Sequence, residues 1–363
     1  MYLVICALPR STPLFLRRRA AKVSHFGGIH SGCGVAAFCW YICYVAVLTR
    51  DFAITDPPQR PSTAVLVLAY LVLVLLTAMI LAAYPILRFI KHDVFEFTHR
   101  FSSWILIVLF WVAYLKAAND VSKAEGTSLG GYLVKDATFW FVTILTMSLI
   151  SPWITLRKVP VSPEYLSDHA IRLHFKYTTT RFSQGIGVST HPLRDWHSFA
   201  GIPDPSGKGF SLVISKAGDW TSACIRNPPT QLWKRAVPAY GFGHAALLFS
   251  KVLIVVTGSG IGPCLSLLAS DARPPSRVLW QTRNPKKTYG DKILDAVAEL
   301  DPDAFIIDSN KYGRQDMMDI SWSLLKEFEA EAVFIISKPN LVRKLVYGFE
   351  ARGIPAYGPL FDS

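Results

Sequence analysis

Cysteine is scarce in this chain: six residues in 363, at Cys6, Cys33, Cys39, Cys43, Cys224 and Cys264. None forms Cys-x-x-Cys, and no His/Cys cluster has zinc spacing, which excludes a zinc module and a dithiol redox motif. Three lie in or beside one apolar helix, so the six read as small buried residues of a reducing compartment. Negative charge is also short. Lys and Arg number 38 against 26 Asp and Glu, a formal net charge of +12. No basic patch is interleaved with aromatics, so nucleic acid is not an expected partner. Much of the excess lies at Arg17, Arg18, Arg19 and Lys22 and at Arg157 and Lys158, beside apolar runs, and reads as topology. The apolar start MYLVICALP has no basic segment ahead of it and stops at Pro9, so it is not read as a signal peptide.

Long hydrophobic runs are plentiful instead. Hydrophobic residues make up 51% of the chain and mean hydropathy is +0.30, concentrated in the first half. A spanning helix needs about 20 apolar residues. Four segments fit or nearly fit, starting at Cys33, Ser62, Phe101 and Ala137. The loops FLRRRAAK, RFIKHDVFEFTHR and RKVPVS are the basic sides. The positive-inside rule then places both termini in the cytosol. His30, just before the first span, and His99, just before the third, fall at similar depth. Two such imidazoles could ligate one haem iron from opposite sides, or be interfacial polar groups bonded to headgroups or backbone.

The second half changes character. IRLHFKY and FSLVISK alternate as half-buried strands do, and the strand reading runs on through GFSLVISKAGDWTSACI. From about Ala245, strands alternate with helices, the pattern of a parallel, doubly wound sheet. VVTGSGIGPCLSLLAS places Gly258, Gly260, Gly262 and Pro263 at a strand–helix turn. Such glycines let a backbone approach a pyrophosphate at a helix N-terminus, and they also serve tight strand–helix packing. Cys264 reads as a packing residue ahead of an activated thiol.

DVFEFTHRFSSW resembles the start of a haem-bearing helix in the ferric reductase and NADPH oxidase group, and His30 and His99 match that group's near histidine pair. The far pair is unmatched: Cys43 and Val112 stand thirteen residues on, and the outer haem is expected to be absent. Most of Ser162 to Ser363 resembles a ferredoxin–NADP reductase-like module. DWHSFAGIPD is similar to its flavin motif, with His197 and Phe199 matching, Ser198 for proline and Ala200 for the hydroxyl residue. The resemblance implies Phe199 beside the flavin, and His197 and Thr221 near its phosphate or ribitol. It also implies NADPH on the Gly258 loop, with Arg283, Lys287 and Tyr289 gripping the 2′-phosphate. YGRQDMMDI, with Gly313 and Arg314, is similar to a Gly-Arg-Pro stretch. Ser337 and Lys338 replace the cysteine and glycine beside the nicotinamide. The loop and the C-terminal tail also resemble fungal integral membrane proteins called TmpA-like.

The expected architecture is a membrane α-helical bundle of about four spans, an antiparallel β-barrel of ferredoxin-reductase type and a doubly wound α/β nucleotide-binding domain. The expected bounds are 1–31 for a cytosolic N-terminal segment, 32–158 for the spans, 159–243 for the FAD-binding barrel and 244–363 for the NAD(P) domain. The expected activity is electron transfer from NADPH through FAD to an acceptor such as a quinone, a metabolite, iron or a protein, with one haem b on His30 and His99 as an optional carrier. The expected location is a membrane, the plasma membrane first, with the C-terminal half cytosolic. One alternative is a non-catalytic, nucleotide-responsive signalling protein on a degenerate reductase fold. A second is a transmembrane ferric reductase, which requires two haems.

Overall fold

The computed structural model describes residues 2–24, 26–57, 60–204, 206–236 and 238–359. It forms two units: Phe26–Ser151, and Met1–His25 together with Pro152–Phe361. The chain begins with α1 (Tyr2–Cys6) and α2 (Leu14–Ala21), followed by α3 (Phe26–Ile54), α4 (Thr63–Ala82), α5 (Pro85–Ile90), α6 (His92–Ala124), α7 (Leu129–Leu133) and α8 (Ala137–Ile154). Four of these, α3 from Gly28 onward, α4, α6 and α8, are long and apolar enough to cross a membrane.

Two spans differ from expectation. The apolar runs at Cys33 and Phe101 are short, yet α3 has 29 residues and α6 has 33. In hydrocarbon a backbone can satisfy its polar groups only within the helix, and the polar ends continue the same hydrogen-bond ladder. The Glu96–Arg100 ion pair at i,i+4 supports the polar first turns of α6. His30 and His99 therefore lie inside helices rather than ahead of them. Cys33, Cys39 and Cys43 are exposed on α3, against the reading of them as buried, whereas Cys6, Cys224 and Cys264 are buried. α4 is capped by the Ser62 hydroxyl, which accepts from the Val65 N–H, and Pro85 opens the next helix.

Among its described residues the second unit has fourteen strands in three sheets. Its first strands are β1 (Arg157–Pro160), β2 (Ser162–Ser167), β3 (Ala170–Phe175), β4 (Gln184–Ser189), β5 (His197–Ala200), β6 (Ile202–Pro203) and β7 (Phe210–Ser215); after α9 (Asp219–Arg226) come β8 (Gln231–Lys234) and β9 (Ala239–Tyr240). They make two antiparallel sheets, β1-β8-β4-β5 with β9 on β4, and β2-β3-β7-β6. Alternate residues of both sheets, among them Ile171, Leu173, Ile186, Val188, Leu212 and Ile214, share one core. Among the described residues no strand pairing joins the two sheets, which pack on one core. DWTSACI is a helix, α9, not the end of a strand. The chain breaks at Gly218, and the Thr221 hydroxyl accepts from the Ala217 and Gly218 N–H groups, both at 2.9 Å, which starts the helix.

The chain then winds through β10 (Val252–Thr257), α10 (Ile261–Leu265), β11 (Ser276–Thr282), α11 (Pro285–Tyr289), α12 (Asp291–Leu300), β12 (Phe305–Asp308), α13 (Ser309–Tyr312), α14 (Met317–Phe328), β13 (Ala332–Ile336), α15 (Pro339–Glu350) and β14 (Ala356–Tyr357). The sheet order is β12-β11-β10-β13-β14, and every pair is parallel. Val252–Val256 are wholly buried, as a central parallel strand must be. The helices cover it with apolar stripes: Ile293, Val297 and Leu300 on α12, and Val342, Leu345 and Phe349 on α15.

The N-terminal helices belong to this unit, not to a separate segment. The Arg17 guanidinium donates to both oxygens of Glu331 at 2.7 Å and to the Leu248 carbonyl at 2.7 Å. Arg18 pairs with Glu350, Tyr357 donates to the Arg18 carbonyl at 3.0 Å, and Cys6 and Ala21 enter the same core as Phe249 and Phe334. The cluster at residues 17–19 is thus in part structural. Arg17 is 6% and Glu331 23% exposed in the side chain, so removing Arg17 leaves a partly exposed carboxylate with the Ser250 N–H. Arg17→Met is expected to cost about 2 kcal/mol, read as a lower melting temperature of the solubilised full chain. Hydrogen bonds from Arg17 hold the Glu331 carboxyl below its ordinary 4.5. The pair therefore stabilises the fold above that value, and the contribution is lost as pH falls through the lower folded-state value. The melting difference between wild type and Arg17→Met should shrink on acidification; a constant gap would contradict this.

Candidate functional site

In the order β12-β11-β10-β13-β14 the chain adds strands to one side of β10, then returns to the other. The order reverses between β10 and β13, and in open parallel sheets ligands bind outside the carboxyl ends of the strands at that reversal. Thr257 ends β10, and Ser337 follows β13. Their hydroxyls are hydrogen-bonded to each other, which puts a bonded hydroxyl pair at the mouth of the crevice.

The glycines of the turn serve different needs. Gly258 has φ +53°, which an L side chain rarely adopts. Its carbonyl accepts from the Trp280 indole at 3.0 Å. At Gly260 a Cβ would stand 2.5 Å from the Ile336 carbonyl oxygen, so this glycine is fixed by packing onto β13. At Gly262 a Cβ would meet Val213 of β7 at an ordinary 3.6 Å. Ser259 is exposed and Pro263 half-buried. Cys264 is 1% exposed, and burial pushes its thiol up, which fits packing and not an activated thiolate.

At the end of β11 the expected phosphate grip divides. Arg283 and Lys287 are exposed, and neither is paired with a carboxylate among the described residues. The turn between them is fixed: Asn284 is left-handed at φ 42°, and its N–H donates to Asp308 at 2.9 Å. Tyr289 differs. It is 1% exposed, its ring packs on Trp280 with centroids 5.3 Å apart, and burial raises its phenol. It supports the turn from beneath and does not reach an exposed phosphate. Gly313, at φ +72°, and Arg314 come to the same edge, because the Gln315 N–H donates to the Gln281 side chain of β11 at 2.8 Å. Arg314 is exposed and lines a solvent-open depression of about 390 Å³ with Gln281, Gln315 and Lys344.

The flavin motif is set by register. β4 pairs with β5 so that Ile186 opposes Phe199 and Val188 opposes His197, while Gly185 opposes Ala200 and Gly187 opposes Ser198. Opposed residues share a face. His197 and Phe199 thus lie on the face of the buried Ile186 and Val188, where both pack on Trp220 of α9, at 4.3 Å and 6.0 Å between centroids. Exposed Ser198 lies on the other face, with Ala200, Gly185 and Gly187. The Thr221 hydroxyl is taken up by the start of α9. What suits a planar ring is the face of small residues, to which Phe199 is not turned.

In the first unit the His30 and His99 rings lie 6.1 Å apart at 70°, and Nδ1 of His99 is buried with no hydrogen-bond partner. Two imidazoles on one iron, each with Fe–N of about 2 Å, place their centroids about 6 Å apart. The pair has that separation.

Comparison with known proteins bears on the C-terminal part first. Residues 242–363 are similar to the family described as adenylate-forming reductase 03009, C-terminal domain. The whole chain is similar to two proteins of Coprinopsis cinerea: adenylate-forming reductase 03009, 46% identical over 362 residues, and adenylate-forming reductase 06235, 42% identical over 364. Each alignment covers 100% of this chain and 35% of the relative. The chain thus spans about a third of the length of the curated relatives it matches. Solved structures with some likeness include a ferredoxin–NADP⁺ reductase from Neisseria gonorrhoeae with bound FAD and NADP, at 12% identity, TM-score 0.45, over 56% of this chain and 98% of that one. Another is the Plasmodium falciparum reductase with 2′P-AMP, at 12% identity, TM-score 0.45, over 56% and 95%. At that level they add nothing to the strand order and register given above.

The two sets of glycine and cation positions separate experimentally. Gly260→Ala is expected to lower the melting temperature through its clash with Ile336. Gly258→Val should lower melting as well, because its φ of +53° strains a β-branched residue. Arg283→Ala with Lys287→Ala should weaken NADPH by about tenfold or more and NADH by about twofold at most. Equal losses for both nucleotides, measured by equilibrium titration, would remove these two side chains from the 2′-phosphate.

Proposed function

We propose that this chain is a membrane-anchored, NADPH-oxidising flavoprotein part of an oxidoreductase. The observation that carries the reading is the reversal of strand order at β10 and β13 directly beneath the Gly258–Gly262 turn. Arg283, Lys287 and Arg314 gather at the end of the second strand of the winding, where the adenosine ribose of a dinucleotide sits in such sheets. Their charge favours a 2′-phosphate. Bound there, NADPH would supply a hydride, and FAD would take up its two electrons and release its proton as they are passed on. The chain contributes position: the Gly258 backbone admits the pyrophosphate, Trp280 and Tyr289 hold that backbone, and the small residues of β4 and β5 leave a flat face for a ring. The four apolar helices support the anchoring. The finer likeness to the TmpA-like membrane proteins rests on the motifs alone.

The acceptor classes are a quinone, a metabolite, iron or a protein, and the relatives' name adds an adenylate. A single haem on His30 and His99 is a further proposal, supported by the ring separation and by the orphaned Nδ1 of His99. A non-catalytic, nucleotide-responsive role is favoured by Ala200 and by the Thr257–Ser337 bond, which occupies the hydroxyl nearest the reacting ring.

The test is the absorption spectrum of the detergent-purified chain before and after NADPH. A bound-flavin spectrum that bleaches supports the oxidoreductase. A Soret band that disappears in His30→Ala supports the haem. NADPH binding without flavin, even after reconstitution with FAD, would overturn the catalytic reading and leave the nucleotide-responsive one.

A further inference from the structure

A second cluster of cations lies on the antiparallel sheets, on β1, β8 and the segment before β4, beside Gln184, Ile186 and Gly187 of β4. A cavity of about 360 Å³ is lined by Arg157, Arg181, Lys234 and Arg235, with Thr178 and Thr179, and no aspartate or glutamate lines it. Two of the cations are forced together by the fold. Arg157 and Lys234 are register partners across β1 and β8, and like charges directly opposite destabilise a strand pair. Burial and the nearby Arg157 both lower the Lys234 ammonium. Arg235 is held by rings on two sides, 4.3 Å from the centroid of Trp196 and 4.7 Å from that of Trp153. Ala236, which also lines the cavity, is left-handed at φ 59°, and its N–H donates to the Pro152 carbonyl at 2.9 Å. A strained non-glycine residue persists where its surroundings over-determine it, often at a ligand site.

Chain continuity locates the cavity. Arg157 is three residues beyond Ile154, the last residue of α8. Three residues span at most about 11 Å, so Arg157 stays near the end of that helix whatever the orientation of the units. Trp153 closes the apolar run of α8, and tryptophan at a span end is typical of the headgroup level.

We propose that this cavity binds a phosphate group, supplied by the headgroup of an anionic membrane lipid at the end of α8. Guanidinium forks and threonine hydroxyls are the donors a phosphate takes, and the anion would relieve the Arg157–Lys234 repulsion. The proposal rests on α8 being a span; it uses none of the residues proposed for NADPH and shares only Gly187 with the face proposed for the flavin ring.

The experiment uses the full chain in neutral detergent. Dioctanoyl phosphatidic acid, dioctanoyl phosphatidylcholine and inorganic phosphate are titrated, with adducts counted by native mass spectrometry and melting followed in parallel. Wild type should bind phosphatidic acid in preference to phosphatidylcholine and melt higher with it. Lys234→Gln with Arg181→Gln should weaken that binding about tenfold. Without lipid the same variant should melt no lower than wild type, since a repulsion has been removed; Arg283→Gln should leave lipid binding unchanged. Inorganic phosphate binding as tightly as phosphatidic acid would overturn the lipid source and keep a phosphate site. Equal binding of phosphatidic acid by wild type and the double variant, or by wild type of phosphatidic acid and phosphatidylcholine, would overturn the proposal.

Discussion

The turn after β10 has no room for a side chain on its inner side. A Cβ at Gly260 would lie 2.5 Å from the Ile336 carbonyl, closer than real Cβ atoms approach, so backbone packs on backbone where the sheet reverses. Three consequences follow from that contact. The crevice beyond the carboxyl ends of β10 and β13 opens beside Thr257 and Ser337, whose hydroxyls are bonded to each other. Gly258 must turn left-handed to leave the strand, and Trp280 and Tyr289 pack beneath it to fill the space. The same turn reaches β7 through Gly262 and Val213, so the nucleotide turn and the antiparallel sheets are adjusted together.

Much of this architecture is legible from periodicity. A fully buried parallel strand reads as an unbroken apolar run, and Val252–Val256 is one. Amphipathic helices between such strands announce a doubly wound sheet, and the apolar helices of the first half announce themselves by length. What periodicity does not carry is parity. Alternation shows that His197 and Phe199 share a face, but which face is fixed by pairing with Ile186 and Val188 on another strand. A motif match then assigns Phe199 to a flavin while the register turns it toward Trp220.

Long-range partners were hidden for a similar reason. Arg17 sits in a basic run beside apolar sequence, which is what membrane topology produces, and nothing local points to Glu331, 314 residues away. Tyr289 is likewise placed in a phosphate grip with Arg283 and Lys287 by resemblance. The helical turn of α11 carries the lysines outward and the ring onto Trp280. The Gly218–Thr221 box was hidden in plain view: FSLVIS is so clearly a strand that the reading ran on past the glycine which ends it.

The distribution of charge ties these cases together. A net charge of +12 is too large to be explained by one site, and the structure divides it by environment. Arg17 is neutralised in the protein interior. Arg283, Lys287 and Arg314 stand free at the carboxyl edge of a parallel sheet, where a phosphate ester is the expected complement. Arg157 and Lys234 are opposed across a strand pair, an arrangement that neutral solvent does not favour and that a bound anion does. Cations set side by side by strand register, as Arg157 and Lys234 are, and cations gathered at a sheet edge are the two arrangements that a bound anion would favour.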